Sequence, residues 1–151
     1  MEPDDAMDID KLLTKAVQEL KLEGKDNTKR IFASFHFDRL RYWKKTMQTD
    51  LAMLSAEQQG LLLQDLATLI CVWETTWSSV ERQNMLATSF VFLKLCQRRQ
   101  WPEAVACLVA KQCKSRPVWH RLNETWYERI EPRLPVIPGS VGINRWIGVP
   151  Q

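Results

Sequence analysis

An all-α fold is predicted by three features of this 151-residue chain. Apolar residues recur at helical spacing in six successive stretches, two serine-headed capping boxes mark helix starts, and glycine is sparse, at five residues. Hydrophobic residues make up 45% and charged residues 26%, an ordinary globular balance that excludes wholesale disorder. The architecture expected is a compact bundle of about six helices with an extended Pro/Gly-containing C-terminal arm. Its boundaries are an acidic tail over residues 1–7, a helical domain over 8–131 and the arm over 132–151.

Ile9, Leu12, Leu13, Ala16, Val17 and Leu20 share one helical face, with Asp8 as N-cap and Gly24 as the stop. The second stretch carries two patterns. Ile31, Ala33, Phe35 and Phe37 alternate like a strand, while Phe32, His36, Leu40, Trp43 and Met47 lie on one helical face. Its length and the lack of a partner strand decide for a helix. Ser55 and Gln58 form an S-x-x-Q capping box ahead of Leu62, Leu66, Leu69, Ile70, Trp73 and Trp77. Leu61, Leu63, Cys71 and Val72 make this helix apolar almost all round, which predicts a buried, central position. A second box, Ser78 to Glu81, precedes Met85, Leu86, Phe90, Phe92, Leu93 and Cys96. Pro102 suits a first helical position before Ala104, Val105, Leu108 and Val109. Ser115 and Pro117 start the last helix, with Val118, Leu122, Trp126 and Ile130 as its apolar face, and Pro132 ends it.

The arm holds four Pro and three Gly in twenty residues, with Leu134, Val136, Ile137, Val141, Ile143, Trp146 and Ile147 between them. That is too apolar for a solvated tail, so the arm is expected to lie in a groove with Trp146 as its anchor. The groove belongs either to its own bundle or to a second copy, the latter giving an arm-exchanged homodimer. Residues 129–135 match a +xxPxxP ligand in form, but Arg129 falls in the preceding helix, which denies it the extended geometry.

Net charge is +3, unevenly spread. Five acids and no base occupy residues 1–10, and two basic zones flank an acidic middle. The first zone, 29–45, interleaves Arg30, Arg41, Lys44 and Lys45 with aromatic residues including Trp43. The second, 94–121, holds Arg98 and Arg99. These residues, with Trp146, are the candidate partner-binding set. A basic helix of this kind can meet an acidic protein, nucleic-acid phosphate or an anionic lipid surface, or simply face water.

Catalytic and metal chemistry find little in the sequence. There are two histidines, no G-x-S-x-G or H-E-x-x-H, and too little glycine for a phosphate loop. Cys107, Cys113 and His120 are three ligands at spacings unlike those of structural zinc. No cofactor is predicted. No apolar run reaches the length of a membrane span, and the acidic N-terminus does not resemble a secretory signal. The four cysteines lie within apolar helical patterns, as reduced core thiols of a cytoplasmic or nuclear protein would. The sequon at Asn123 is accordingly expected to be silent.

The run 66–75, ending in Trp73-Glu74-Thr75, followed by 80–86 and then Phe90 and Phe92, resembles the helical region of the accessory C proteins of paramyxoviruses. The resemblance covers about thirty residues and departs at the acidic start of the chain. It implies a viral protein that binds host factors and restrains viral RNA synthesis, and it carries over no functional residue. The function expected is a non-enzymatic, helical protein-interaction protein, and in its sharper form a viral accessory protein. The alternative is an RNA- or DNA-binding helical protein that uses the two basic zones.

Overall fold

The computed structural model describes residues 3–22, 34–76, 86–112 and 115–137, and among them are six α-helices and no strand. The chain divides into two compact units, residues 1–83 and 84–151. No helix among the described residues is long and apolar enough to cross a membrane.

The first unit contains α1 (Pro3–Glu19), α2 (Ser34–Asp50) and α3 (Ala56–Thr76), each packed on the other two. α1 begins at Pro3 rather than after Asp8, so the segment expected as a tail is helical from Pro3. Proline at the first helical position gives up an N–H that has no intrahelical partner anyway. Ile9, Leu13, Ala16 and Val17 form the buried stripe. The helix stops before Gly24 is reached. Lys21 takes the left-handed conformation, φ 57°, and its N–H donates to the Gln18 carbonyl at 3.1 Å. The Leu22 N–H reaches the Val17 carbonyl at 3.0 Å, completing a Schellman cap whose apolar pair, Val17 and Leu22, is buried.

α2 resolves the ambiguous stretch as helix, and Leu40, Trp43 and Met47 are buried at i, i+3 and i+7. The expected capping box at Ser55 is present in both directions. The Ser55 N–H donates to Gln58 Oε1 at 2.9 Å, and the Gln58 N–H to Ser55 Oγ at 3.1 Å. In α3 that follows, Leu62 and every residue from 66 to 73 are buried. Burial pushes the Cys71 thiol up to about 12, with the Glu74 carboxylate adding to the effect.

The second unit contains α4 (Thr88–Arg99), α5 (Pro102–Ala110) and α6 (Arg116–Thr125), then a π-turn (Trp126–Ile130) and a 3-10 turn (Glu131–Arg133). Pro102 opens α5 and Pro117 sits in the first turn of α6, as the sequence predicts. α4 ends on a second Schellman cap, with Gln100 at φ 60° and the Trp101 N–H donating to the Cys96 carbonyl at 3.2 Å. The buried face of α6 is offset by one residue from the expected one. Trp119, Asn123, Trp126 and Ile130 are buried, while Val118 and Leu122 are half-buried. Indole burial outweighs a valine or leucine at the neighbouring position. Asn123 joins the stripe because its Nδ2 donates to the Trp119 carbonyl at 2.9 Å. The sequon asparagine is thus inside the unit.

Phe90 of α4 meets Trp119 at 5.2 Å and Trp126 at 6.1 Å between ring centroids, both edge to face. Of the arm, residues 134–137 follow the 3-10 turn. Leu134 is buried, and the Pro135 carbonyl accepts from Arg98 Nη2 at 2.6 Å. Trp146 and the arm exchange expected of it lie outside the described residues, as does the capping box at Ser78.

Leu66 and Phe90 each have no exposed surface. Leu66→Ala is expected to destabilise by about 2–5 kcal/mol and Phe90→Ala by about 3–5 kcal/mol, combining lost transfer energy with the cavity left behind. Urea denaturation followed by circular dichroism measures both, and unchanged midpoints would contradict these core assignments.

Candidate functional site

The three helices of the first unit leave a groove of about 380 Å³ between them. That volume lies in the lower part of the range for ligand-sized clefts. Its floor is hydrocarbon. Ile9 and Leu12 come from α1, Leu40 from α2 and Leu63 from α3. Ile9 and Leu40 are closed off, whereas Leu12 and Leu63 are half-buried and reach the open side.

Lysines make the rim. Lys11 and Lys15 are exposed on α1, one helical turn apart, and half-buried Lys44 comes from α2. Lys11 and Lys15 point away from the core because α1 spends positions 9, 13, 16 and 17 on its buried stripe. No acidic side chain is among the described residues that line the groove. At one end Gln64 donates from Nε2 to the Leu12 carbonyl at 3.1 Å, tying α3 to α1. Beside it stands Gly60, at the fifth position of α3.

Gly60 is unusual in its place. Glycine inside a helix costs about 0.8–1.0 kcal/mol relative to alanine. A Cβ built there meets nothing within 4 Å among the described residues, so no packing against them asks for its absence. Gly60→Ala is therefore expected to stabilise the protein by about 1 kcal/mol, read as a raised thermal midpoint by circular dichroism. A lowered midpoint would mean that the groove wall is packed.

Of the residues the sequence singles out, Lys44 alone lines the groove among those described. Its neighbour Lys45 is exposed, and Arg41 is half-buried with Nη2 at 3.3 Å from Asp38 Oδ1. Trp43 is 1% exposed, with the Arg39 guanidinium 5.8 Å from its ring, so it anchors the fold and offers a partner no surface. Arg30 lies outside the described residues. Sequence reasoning passed over Lys11 and Lys15, and read Leu63 as part of a buried helix. A pair of lysines at i, i+4, and leucines at 61 and 63 off the buried stripe, were the signals present.

The second basic zone is partly turned inward. Arg98 is 7% exposed, and its Nε donates to Glu131 Oε1 at 2.8 Å, while Trp126 Nε1 donates to Glu131 Oε2 at 2.7 Å. Lys94, with no exposed surface, donates to Tyr127 Oη at 3.3 Å and Gln97 Oε1 at 3.4 Å. Its ammonium lies 4.8 Å from the Tyr127 ring, 5.6 Å from that of Phe90 and 6.0 Å from that of Trp119. Arg99 is half-buried, and Lys111, Arg116 and Arg121 are exposed. Arg98 thus acts inside the unit. Arg98→Ala is expected to cost about 3 kcal/mol, the low end for breaking a buried pair, since Glu131 keeps partial access to water. A variant with an unchanged urea midpoint would contradict that role.

No protein-family model, curated protein or solved structure matches the chain. The groove is accordingly read from its own chemistry.

Proposed function

We propose that the protein is a non-enzymatic interaction protein of the cytoplasm or nucleus that holds a protein partner in the lysine-rimmed groove of its first unit. The observation that carries this reading is the pairing of a half-open leucine floor with a rim bearing three lysines and, among the described residues, no acid. Apolar floors supply affinity, and a rim of one sign selects and steers the partner. The reading accords with Cys71 and Cys96 being buried as small hydrophobes. Resemblance to the accessory C proteins of paramyxoviruses supports its sharper form, a viral protein that binds host factors and modulates host defence or viral RNA synthesis.

Against nucleic acid, the groove is lined by no aromatic side chain among its described residues. Proteins that hold single strands rely on such rings to stack bases.

The test compares the wild-type chain with the double variant Lys11→Glu, Lys15→Glu in affinity purification from nuclease-treated lysate, followed by calorimetry with the purified partner. Exposed ion pairs are worth about 0.2–1 kcal/mol each and reversal adds repulsion, so roughly tenfold weaker binding is expected, with helicity unchanged. Three lysines can release about three counterions, so a salt dependence steeper than about the third power would point to phosphate contacts elsewhere. A partner retained at full affinity by the double variant, or recovered only through nucleic acid, would reject the proposal.

A further inference from the structure

We infer that the occupant of the groove is an acidic amphipathic helix of the partner, seated across Gly60 of α3. This rests on the reading of the groove as a protein-docking site and says what kind of segment enters it.

Three observations converge on a helix. The first is the wall material. α1, α2 and α3 satisfy their own backbone groups, so the groove offers no sheet edge to which an extended segment could add. A helical guest brings its backbone already bonded and needs only side-chain contacts.

The second is charge spacing. Lys11 and Lys15 stand about 6 Å apart along α1, four residues at 1.5 Å rise each. Carboxylates at i and i+4 of a helix lying along α1 repeat at the same interval. Between them, apolar side chains at i, i+3 and i+7 would meet Leu12 and Leu63, the half-buried part of the floor. A volume of about 380 Å³ has room for about a dozen waters at roughly 30 Å³ each, which a few such side chains would displace.

The third is Gly60. Its missing side chain serves no contact among the described residues, yet it leaves the α3 backbone bare at the groove wall. Bare backbone is what a second helix needs in order to approach closely. A flat lipid surface would reach the lysines but not a concave floor, so it gains nothing from this glycine.

The probe is a fluorescein-labelled, alanine-based helical peptide with leucines at i, i+3 and i+7 flanked by glutamates. Two controls accompany it, one with lysines replacing the glutamates and one with a central proline. Anisotropy titration of the full chain is expected to show binding of the acidic helix at least tenfold tighter than either control. Gly60→Leu is expected to weaken that binding at least tenfold while its thermal midpoint is not lowered. The inference is overturned if the proline peptide binds equally well, if Gly60→Leu binds like wild type, or if no binding is seen up to about 1 mM. Displacement of the bound peptide by phosphatidylserine vesicles, but not by excess unlabelled acidic peptide, would overturn it in favour of a lipid surface. Loss of the natural partner in Lys11→Glu, Lys15→Glu but not in Gly60→Leu would leave the groove as the docking site and remove the helix. Retention by both variants would remove the docking site itself.

Discussion

Residues 66–73 of α3 are buried without a break, and the rest of the first unit is arranged around that constraint. A helix enclosed on every side has no solvent face on which to place a polar group, so each one must be satisfied within. Thr68 does this by donating to the Gln64 carbonyl at 3.0 Å, and Thr75 and Thr76 return their hydroxyls to the carbonyl of the preceding turn in the same way. The first turns of α3 obey no such constraint. There Leu62 is buried, but Leu61 is 39% exposed and Leu63 half-buried. Apolar area beyond what the unit encloses is concentrated at this end of the helix, and this end carries the groove.

The second unit solves the opposite problem. Residues 90–98 of α4 are all buried, and Lys94 and Arg98 are among them, one turn apart. Two cations inside a unit persist only if their charge is answered by donors' partners and rings. Arg98 has the Glu131 carboxylate and the Pro135 carbonyl; Lys94 has Tyr127, Gln97 and three aromatic faces. Trp126, Tyr127 and Glu131 lie in or next to the π-turn, an i→i+5 element typical of places where side-chain demands override helix geometry. Glu131, bonded by both Arg98 and Trp126, ties that turn back to α4 and fixes the chain where the arm begins. The +xxPxxP form fails for the same reason, because residues 129–133 are spent on helical turns.

How far the sequence could be read follows from which features are local. The capping box at Ser55, the prolines at 102 and 117, and the stripe of Leu40, Trp43 and Met47 depend on neighbours a few residues away, and each is found where periodicity places it. Helix ends were less legible. α1 stops at a left-handed lysine instead of a glycine because a Schellman cap needs its two hydrogen bonds and its apolar pair, and Val17 with Leu22 supplied the pair. Charge was the least legible feature. A basic zone counts Lys94 and Arg98 as surface, yet their ion pair and ring contacts are made with residues 127 and 131, about thirty positions later. Trp43 stood both on the predicted apolar stripe and in the candidate partner-binding set, and its burial puts it to the first use. The groove was hidden because its rim is assembled from α1 and α2, and no single segment displays it.

In the proposed docking, stability and binding pull in opposite directions at Gly60. A helix of 21 residues would be more stable with alanine there, and an added Cβ meets nothing within 4 Å among the described residues. Natural chains commonly carry such unspent stability. The position of Gly60 is more telling, since it stands in the one stretch of α3 where leucines remain uncovered and where α1 presents two lysines a turn apart. Each exposed lysine can contribute only a fraction of a kcal/mol to about one, which is too little to hold a partner by itself. Affinity must then come from apolar contact with Leu12 and Leu63, and that contact grows as the guest comes closer to the α3 backbone. In the proposed docking, the lysines would choose which segment arrives, and the absence of a side chain at residue 60 would set how deeply it could sit.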